Sequence, residues 1–454
     1  MSDVAAVTNN IQQRTHDDGF LWLSRNGNLK ETVKDFKGLT TDERNQVVEG
    51  LTDADLQELA DDVNANGVGG ANGLSADEKR DLFNTLADGL DGAQVGRLAK
   101  AFDDRDDVMA LGQAVAQHAD SETKVDFIKE MAPRTQDKDQ DSGIMVGGSW
   151  SEKGDKEAEA ILDVLSSMGN DPDGFNKAVG TLDETTLHAV AEAGINQHAT
   201  YGEASVSVSH DPKQLTALLD AAAKSSDPAV KARVFDAGAS ALQSMRDNTK
   251  FPVVSVGTDD AAKQVTGKLT TLLNSDVRGI THELNQHDQY GKGLSTYTSE
   301  VLRAGESGQK ILGEQLAQLQ GAGTGLSPIE FMEQTANGST GKDYYQNAES
   351  LGYFTGAMRN GLEAQNADAT ANGTMIKGIF GAAIGALSLG RAGGSATLLT
   401  NTMVDAVVSS ANGDRTKLGQ ALQDLAVPVD ANGERYQGPA TSIFDSTLAR
   451  VRAG

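Results

Sequence analysis

The chain has 454 residues, with 65 acidic against 39 basic side chains, a net charge of −26 and no cysteine. The lack of cysteine excludes disulfides, thiolate nucleophiles and most structural zinc sites. The charge disfavours a nucleic-acid backbone or an anionic lipid surface as partner, and the length predicts two to four domains.

The amino terminus, MSDVAAVTNNIQQRTHDDG, has no basic stretch followed by an apolar one. The expectation is a cytoplasmic protein, or one that leaves the cell without a Sec signal. Phe20-Leu21-Trp22-Leu23 is an apolar patch, read as an anchor onto the first domain, with a partner or chaperone site as the alternative.

Helix starts follow. Thr40 with Glu43, and Ser75 with Glu78, have the spacing of a capping box, in which a hydroxyl accepts from a free backbone N–H and a carboxylate reaches back. Val47, Val48 and Leu51, then Leu82, Phe83, Leu86 and Leu90, continue on one helical face. Asp211-Pro212, Asp227-Pro228 and Ser327-Pro328-Ile329-Glu330 place proline where its missing N–H costs nothing. Thr52, Asp91, Asp183 and Asp211 each precede an apolar residue by four (Leu56, Val95, Leu187, Leu215). Each of these is followed three residues on by another, Leu59, Leu98, Val190 or Leu218. The copies are unevenly spaced, so a regular solenoid does not follow. Short helical hairpins in a loose array fit the pattern, as do unrelated capped helices.

Strand signals are few. Ala204 to Val208 alternates and Phe251 to Val256 is β-rich around a proline, enough for one small ribbon. Linker composition marks Arg134 to Asp155 and Gly321 to Ser327. The expected fold is therefore mainly α, a multi-domain array of short amphipathic helices with at most a small β-ribbon. The expected domains are residues 1–135, a linker at 136–155, 156–322, and 323–454 with a glycine-rich apolar hairpin.

Candidate chemistry is sparse. His282 and His287 flank Glu283, but they are five apart, and two zinc ligands on one helix must be four apart. Glu283 and His287 are four apart and predict a side-chain pair on an exposed helix. Asp62, Asn64, Asn66 and Gly67 open like a calcium loop, yet its twelfth position is Gly73 where a bidentate glutamate is needed. Asp137, Asp139 and Asp141 form a second run without the closing acid. Glu306-Ser307-Gly308 echoes the acid of lytic transglycosylases over three residues only. The expectation is no catalytic residue, no metal and no cofactor.

Between Thr374 and Ser410 only Lys377, Arg391 and Asp405 are charged. Gly378 to Gly390 falls short of the ~20 residues a membrane-crossing helix needs. A buried helical hairpin is favoured by length and polarity; conditional insertion, with Gly381 and Gly385 allowing close helix approach, stays open. The residues expected to touch a membrane or a partner helix are Tyr353, Phe354, Ile379, Phe380, Gly381, Ile384, Gly385 and Leu387.

From Tyr345 the chain reads Y-x-N-A-x-x-L-G-Y-F-x-G-A. With the glycine-rich helices after it and the capped units before it, this resembles the helical, non-catalytic regions upstream of the toxin domain in secreted bacterial effectors and polymorphic toxins. The resemblance implies delivery, translocation or docking, with secretion machinery or a chaperone as partner and a bacterial cytoplasmic stage before export. The chain ends at Gly454 with no room for a large catalytic domain, so it acts alone, as a fragment or as an accessory. The expected function is a non-enzymatic exported effector or effector-delivery component that binds a membrane or a partner protein. The alternatives are a cell-wall or other hydrolase using Glu306 or the His282–His287 region, and a structural protein of a phage particle or secretion machine.

Overall fold

Asp and Ser/Thr caps start most of the helices, as the spacing predicts. Ser75 Oγ accepts from the Glu78 N–H at 3.3 Å, and the Glu78 carboxylate accepts from the Ser75 N–H at 3.0 Å. The same reciprocal pair forms at Thr40–Glu43 and Ser327–Glu330, while Asp91 and Asp183 cap with their carboxylates alone. The computed structural model describes residues 4–15, 25–64, 74–102, 105–136, 155–195, 197–201, 206–247, 254–255, 258–288, 290–337, 343–365, 369–389, 399–411, 414–430 and 432–453. The patch at Phe20–Leu23, the run Asp137–Asp141, Asn66–Gly73 and Phe251–Val253 lie outside them.

The cap at Ser75 carries a pH signature. The Ser75 backbone N–H, then Lys30 at 3.0 Å, hold the Glu78 carboxyl down at about 2. A lowered carboxyl contributes stability above its ordinary value of 4.5 and loses it as pH falls through about 2. Glu78→Gln keeps a reach-back acceptor without the titration. Its stability relative to wild type, read by urea unfolding, should improve steadily as pH drops through that window.

The chain divides into two compact units, Met1–Ser226 and Asp227–Gly454. The first contains α1 (Val4–Thr15), α2 (Arg25–Gly38), α3 (Thr41–Gly50), α4 (Asp53–Asn64), α5 (Ala76–Ala87) and α6 (Gly92–Ala101). It continues with α7 (Arg105–His118), α8 (Ser121–Met131), α9 (Asp155–Ser167), α10 (Pro172–Thr181), α11 (Glu184–Ala193) and α12 (Lys213–Lys224). From α4 to α10 every helix packs on the helix two places further along the chain, so that the row ends at α12. The recurring apolar pairs drive this: Leu56 and Leu59, Val95 and Leu98, Leu187 and Val190, Leu215 and Leu218 are all at most 1% exposed. The step is uneven, as the sequence spacing implies. Two hydrogen-bonded strands interrupt the helices, β1 (Gln197–Tyr201) antiparallel to β2 (Val206–His210), with Ala199 opposite Val208.

The second unit contains α13 (Pro228–Asp247), the two-residue strand β3 (Val254–Ser255), α14 (Thr258–Ser275), α15 (Val277–His287), α16 (Lys292–Leu302) and α17 (Glu306–Leu319). Then come α18 (Pro328–Met332), β4 (Ala336–Asn337) antiparallel to β5 (Asp343–Tyr344), α19 (Gln346–Ala364), α20 (Ala369–Leu389), α21 (Asn401–Ser410), α22 (Arg415–Ala426) and α23 (Pro439–Ala453). The strands are short, and the fold is an array of helices.

The division differs from the boundaries drawn on linker composition. Helix α9, beyond the 136–155 segment, packs on α7 and α8 within the first unit. The glycine-rich break at Gly321–Ser327 is a fixed turn inside the second unit. Gly321, Gly323 and Gly325 take positive φ there, and Arg278 donates to the carbonyls of Gln318 at 2.9 Å and Ala322 at 2.7 Å. Helices α17 and α20, on either side of the turn, pack against each other.

Candidate functional site

The described residues of the apolar segment belong to two helices that pack on each other, α20, of 21 residues, and α21, of 10. Ile379 and Phe380 are fully buried, and Ala383 and Leu387 nearly so. This face lies on α17 and α21. Gly313 makes the contact with α17 close: a Cβ there would strike the Ile379 carbonyl oxygen and come within 2.7 Å of the Ala382 methyl. Lys377, the one charged residue of α20, pairs with Asp405 of α21 at 2.8 Å. Phe380, Ile384 and Leu387 also line a hollow of about 20 Å³ with Leu425 and Val427, room for about one water molecule.

The outer edge of α20 is only partly covered by the described residues. Gly381 and Ile384 are half-buried, and Gly385 and Ser388 are exposed. Among the described residues a Cβ on Gly385 would meet no atom within 4 Å, and one on Gly381 would meet only Asn401 Oδ1 at 3.8 Å. Among the described residues no helix is long and apolar enough to cross a membrane.

Tyr353 and Phe354 lie elsewhere. They sit in the middle of α19, both fully buried, and α19 packs on α15, α16, α17, α18, α22 and α23. The glycines of the Y-x-N-A-x-x-L-G-Y-F-x-G-A motif serve that packing. A Cβ on Gly352 would come 2.5 Å from the Phe444 carbonyl oxygen, and one on Gly356 would come 2.8 Å from Val451 Cβ, both on α23. Burial, with the carboxylates of Asp288 and Asp236 adding to it, pushes the Tyr353 phenol well above its ordinary range. The eight residues singled out in the sequence therefore form two core segments and one exposed edge, not a single patch.

The histidine motif divides in the same way. His287 pairs with Glu283 at 3.9 Å on a partly exposed face, as their spacing predicts. The His282 ring faces Tyr344, with centroids 6.3 Å apart. One turn on, Asn285 Oδ1 accepts from Arg450 of α23, and Arg450 lies 3.8 Å from Glu349 of α19. Among the described residues His282 Nδ1, Asn285 Nδ2, Glu349 Oε2 and Arg450 Nε have no protein partner. The sequence reading did not single out Asn285, Glu349 or Arg450. They come from three separate helices, and no local spacing connects them.

Glu306 is exposed at the first position of α17, where a carboxylate favours the helix dipole. Asp62 and Asn64 belong to the last turn of α4, not to a loop. The Asn64 side chain is held by Asp107 and Lys79. Among the described residues no group of three or more His, Asp or Glu side chains could hold a metal ion.

No family model and no curated protein matches the chain. Among solved structures it is similar to an engineered protein, a Northeast Structural Genomics Consortium target, at 10% identity over 94% of this chain and 98% of that one. The TM-score of 0.24 is too low for an argument about fold or function.

Proposed function

We propose that this protein is an exported, non-catalytic bacterial effector or effector-delivery component that works by binding a partner protein. The observation that carries the reading is the outer edge of α20. Gly381, Gly385 and Ser388 leave the helix backbone open to close approach, with Ile384 beside them. An edge of small residues lets a second helix pack tightly. The net charge of −26 favours a neutral or basic protein over an anionic bilayer. The likeness of the Tyr345–Ala357 motif to delivery regions supplies the biological setting, with secretion machinery or a chaperone as the first partner.

Gly385→Leu separates binding from folding. Its side chain enters open space and replaces glycine with a better helix former, so the fold should gain up to about 1 kcal/mol while a partner helix is pushed away. A photo-crosslinking residue at position 381, in the producing bacterium, should give one discrete protein adduct that Gly385→Leu removes, with the wild-type chain recovered in the medium. No discrete adduct, or one indifferent to Gly385→Leu, would refute partner binding at this edge. Flotation with neutral vesicles in place of the adduct would assign the edge to lipid. A chain that stays in the cell would refute export.

A further inference from the structure

A cleft of about 290 Å³ opens between α19, α20 and α22. It is near the lower end of the ~300–1,000 Å³ usual for small-molecule sites. Leu362, Ile376, Leu418 and Leu422, none more than 5% exposed, supply its apolar wall.

Two polar side chains interrupt that wall. Arg359 of α19 is 5% exposed. Its Nε donates to Glu363 Oε1 at 2.9 Å, one turn on. Its guanidinium lies flat on α22 at Gly419, where a Cβ would sit 2.5 Å from the guanidinium carbon. Among the described residues no acceptor takes the Nη1 or Nη2 donors. Asn372 of α20 is 8% exposed and lines the same cleft. Its buried Oδ1 has no partner, and its amide makes no hydrogen bond to protein. In sequence the only trace of this is that Arg359 is the one charge between Ser350 and Gly361.

Among the described residues no protein acceptor meets the Arg359 Nη donors or the Asn372 amide N–H groups, which open onto the cleft, and a guanidinium held in so apolar a wall gains from a partner. A ligand in the cleft would supply acceptors to these donors, while Asn372 Oδ1, itself an acceptor, calls for a donor and not for the carboxylate. A guanidinium presents parallel donors that match a carboxylate in a two-point contact. Glu363 is largely exposed and engages only the Nε edge, so it balances the charge without filling the site. We propose that this cleft binds a small amphipathic carboxylic acid. Its carboxylate takes the Arg359 Nη donors and the Asn372 amide, and its hydrocarbon lies on Leu362, Ile376 and Leu422. A free phosphate would satisfy the cation but leave the apolar wall wet. The cleft is distinct from the outer edge of α20, so either proposal can fail alone.

Titration calorimetry on the full chain with hexanoate, hexanamide and inorganic phosphate tests this. Hexanoate should bind at sub-millimolar concentration, and hexanamide and phosphate at least tenfold more weakly. Arg359→Gln should weaken hexanoate at least tenfold. Glu363→Gln, which removes the competing carboxylate, should tighten it several-fold. Equal binding of hexanoate and hexanamide, no hexanoate binding at millimolar concentration, or unchanged affinity in a folded Arg359→Gln protein would overturn the proposal. Should Arg359→Gln fail to fold, an unchanged or weakened affinity in Glu363→Gln would overturn it as well.

Discussion

Phe354→Ala should destabilise the second unit by about 3–5 kcal/mol, the usual cost of removing a fully buried aromatic ring and leaving a cavity. Phe354 is 0% exposed and lies in the middle of α19, which has six helices around it. Chemical denaturation followed by far-UV circular dichroism measures the change. The result also tells a core residue from a contact residue. A ring waiting on the surface for a partner would leave the midpoint within about 0.5 kcal/mol of wild type. A loss of several kcal/mol places the Tyr353-Phe354 pair among the groups that build the unit.

Gly352→Val should cost about 3 kcal/mol, through overpacking and not through a cavity. The atoms in the way are the Phe444 carbonyl oxygen at 2.5 Å and its Cα at 3.1 Å. Both are backbone, so no side-chain rotation relieves the contact, and α23 must move as a whole. Valine is also a better helix former than glycine, so any propensity effect opposes the predicted loss. A net loss in urea unfolding therefore isolates the steric term. A stability equal to or above wild type would mean that α19 and α23 are not in close contact.

What the sequence made legible was local. Caps such as Ser75–Glu78 and Thr40–Glu43 are read correctly because donor and acceptor are three residues apart and need no tertiary partner. The Glu283–His287 pair follows from helical geometry in the same way. The mainly helical character followed from these signals together. The domain limits did not. Gly321–Ser327 has the composition of a linker, but its ordering comes from Arg278, more than 40 residues earlier, and no composition window contains that donor.

The candidate site divides along the same line. Ile379, Phe380 and Leu387 stand out as an apolar stretch, yet which face of α20 is covered depends on Gly313 of α17. Tyr353 and Phe354, expected to touch a membrane or a partner helix, are instead packed within their own unit. From Ala348 to Leu362 nearly every residue is buried, so the helix is enclosed on several sides and has lost the periodicity that marks a surface helix. The glycines at 352 and 356 were the sequence trace of that enclosure. Arg359 and Asn372 belong to different helices, and only the fold brings them to one cleft.

The leaning of each helix on its second neighbour, from α4 to α12, has a mechanical consequence. Stability in such a row is largely a chain of neighbour terms. A pull on either end loosens the terminal helices first, while α9, which packs on α7, α8, α10, α11 and α12, ties the middle together. Were such a row drawn through a narrow channel, its resistance would be met in small successive steps.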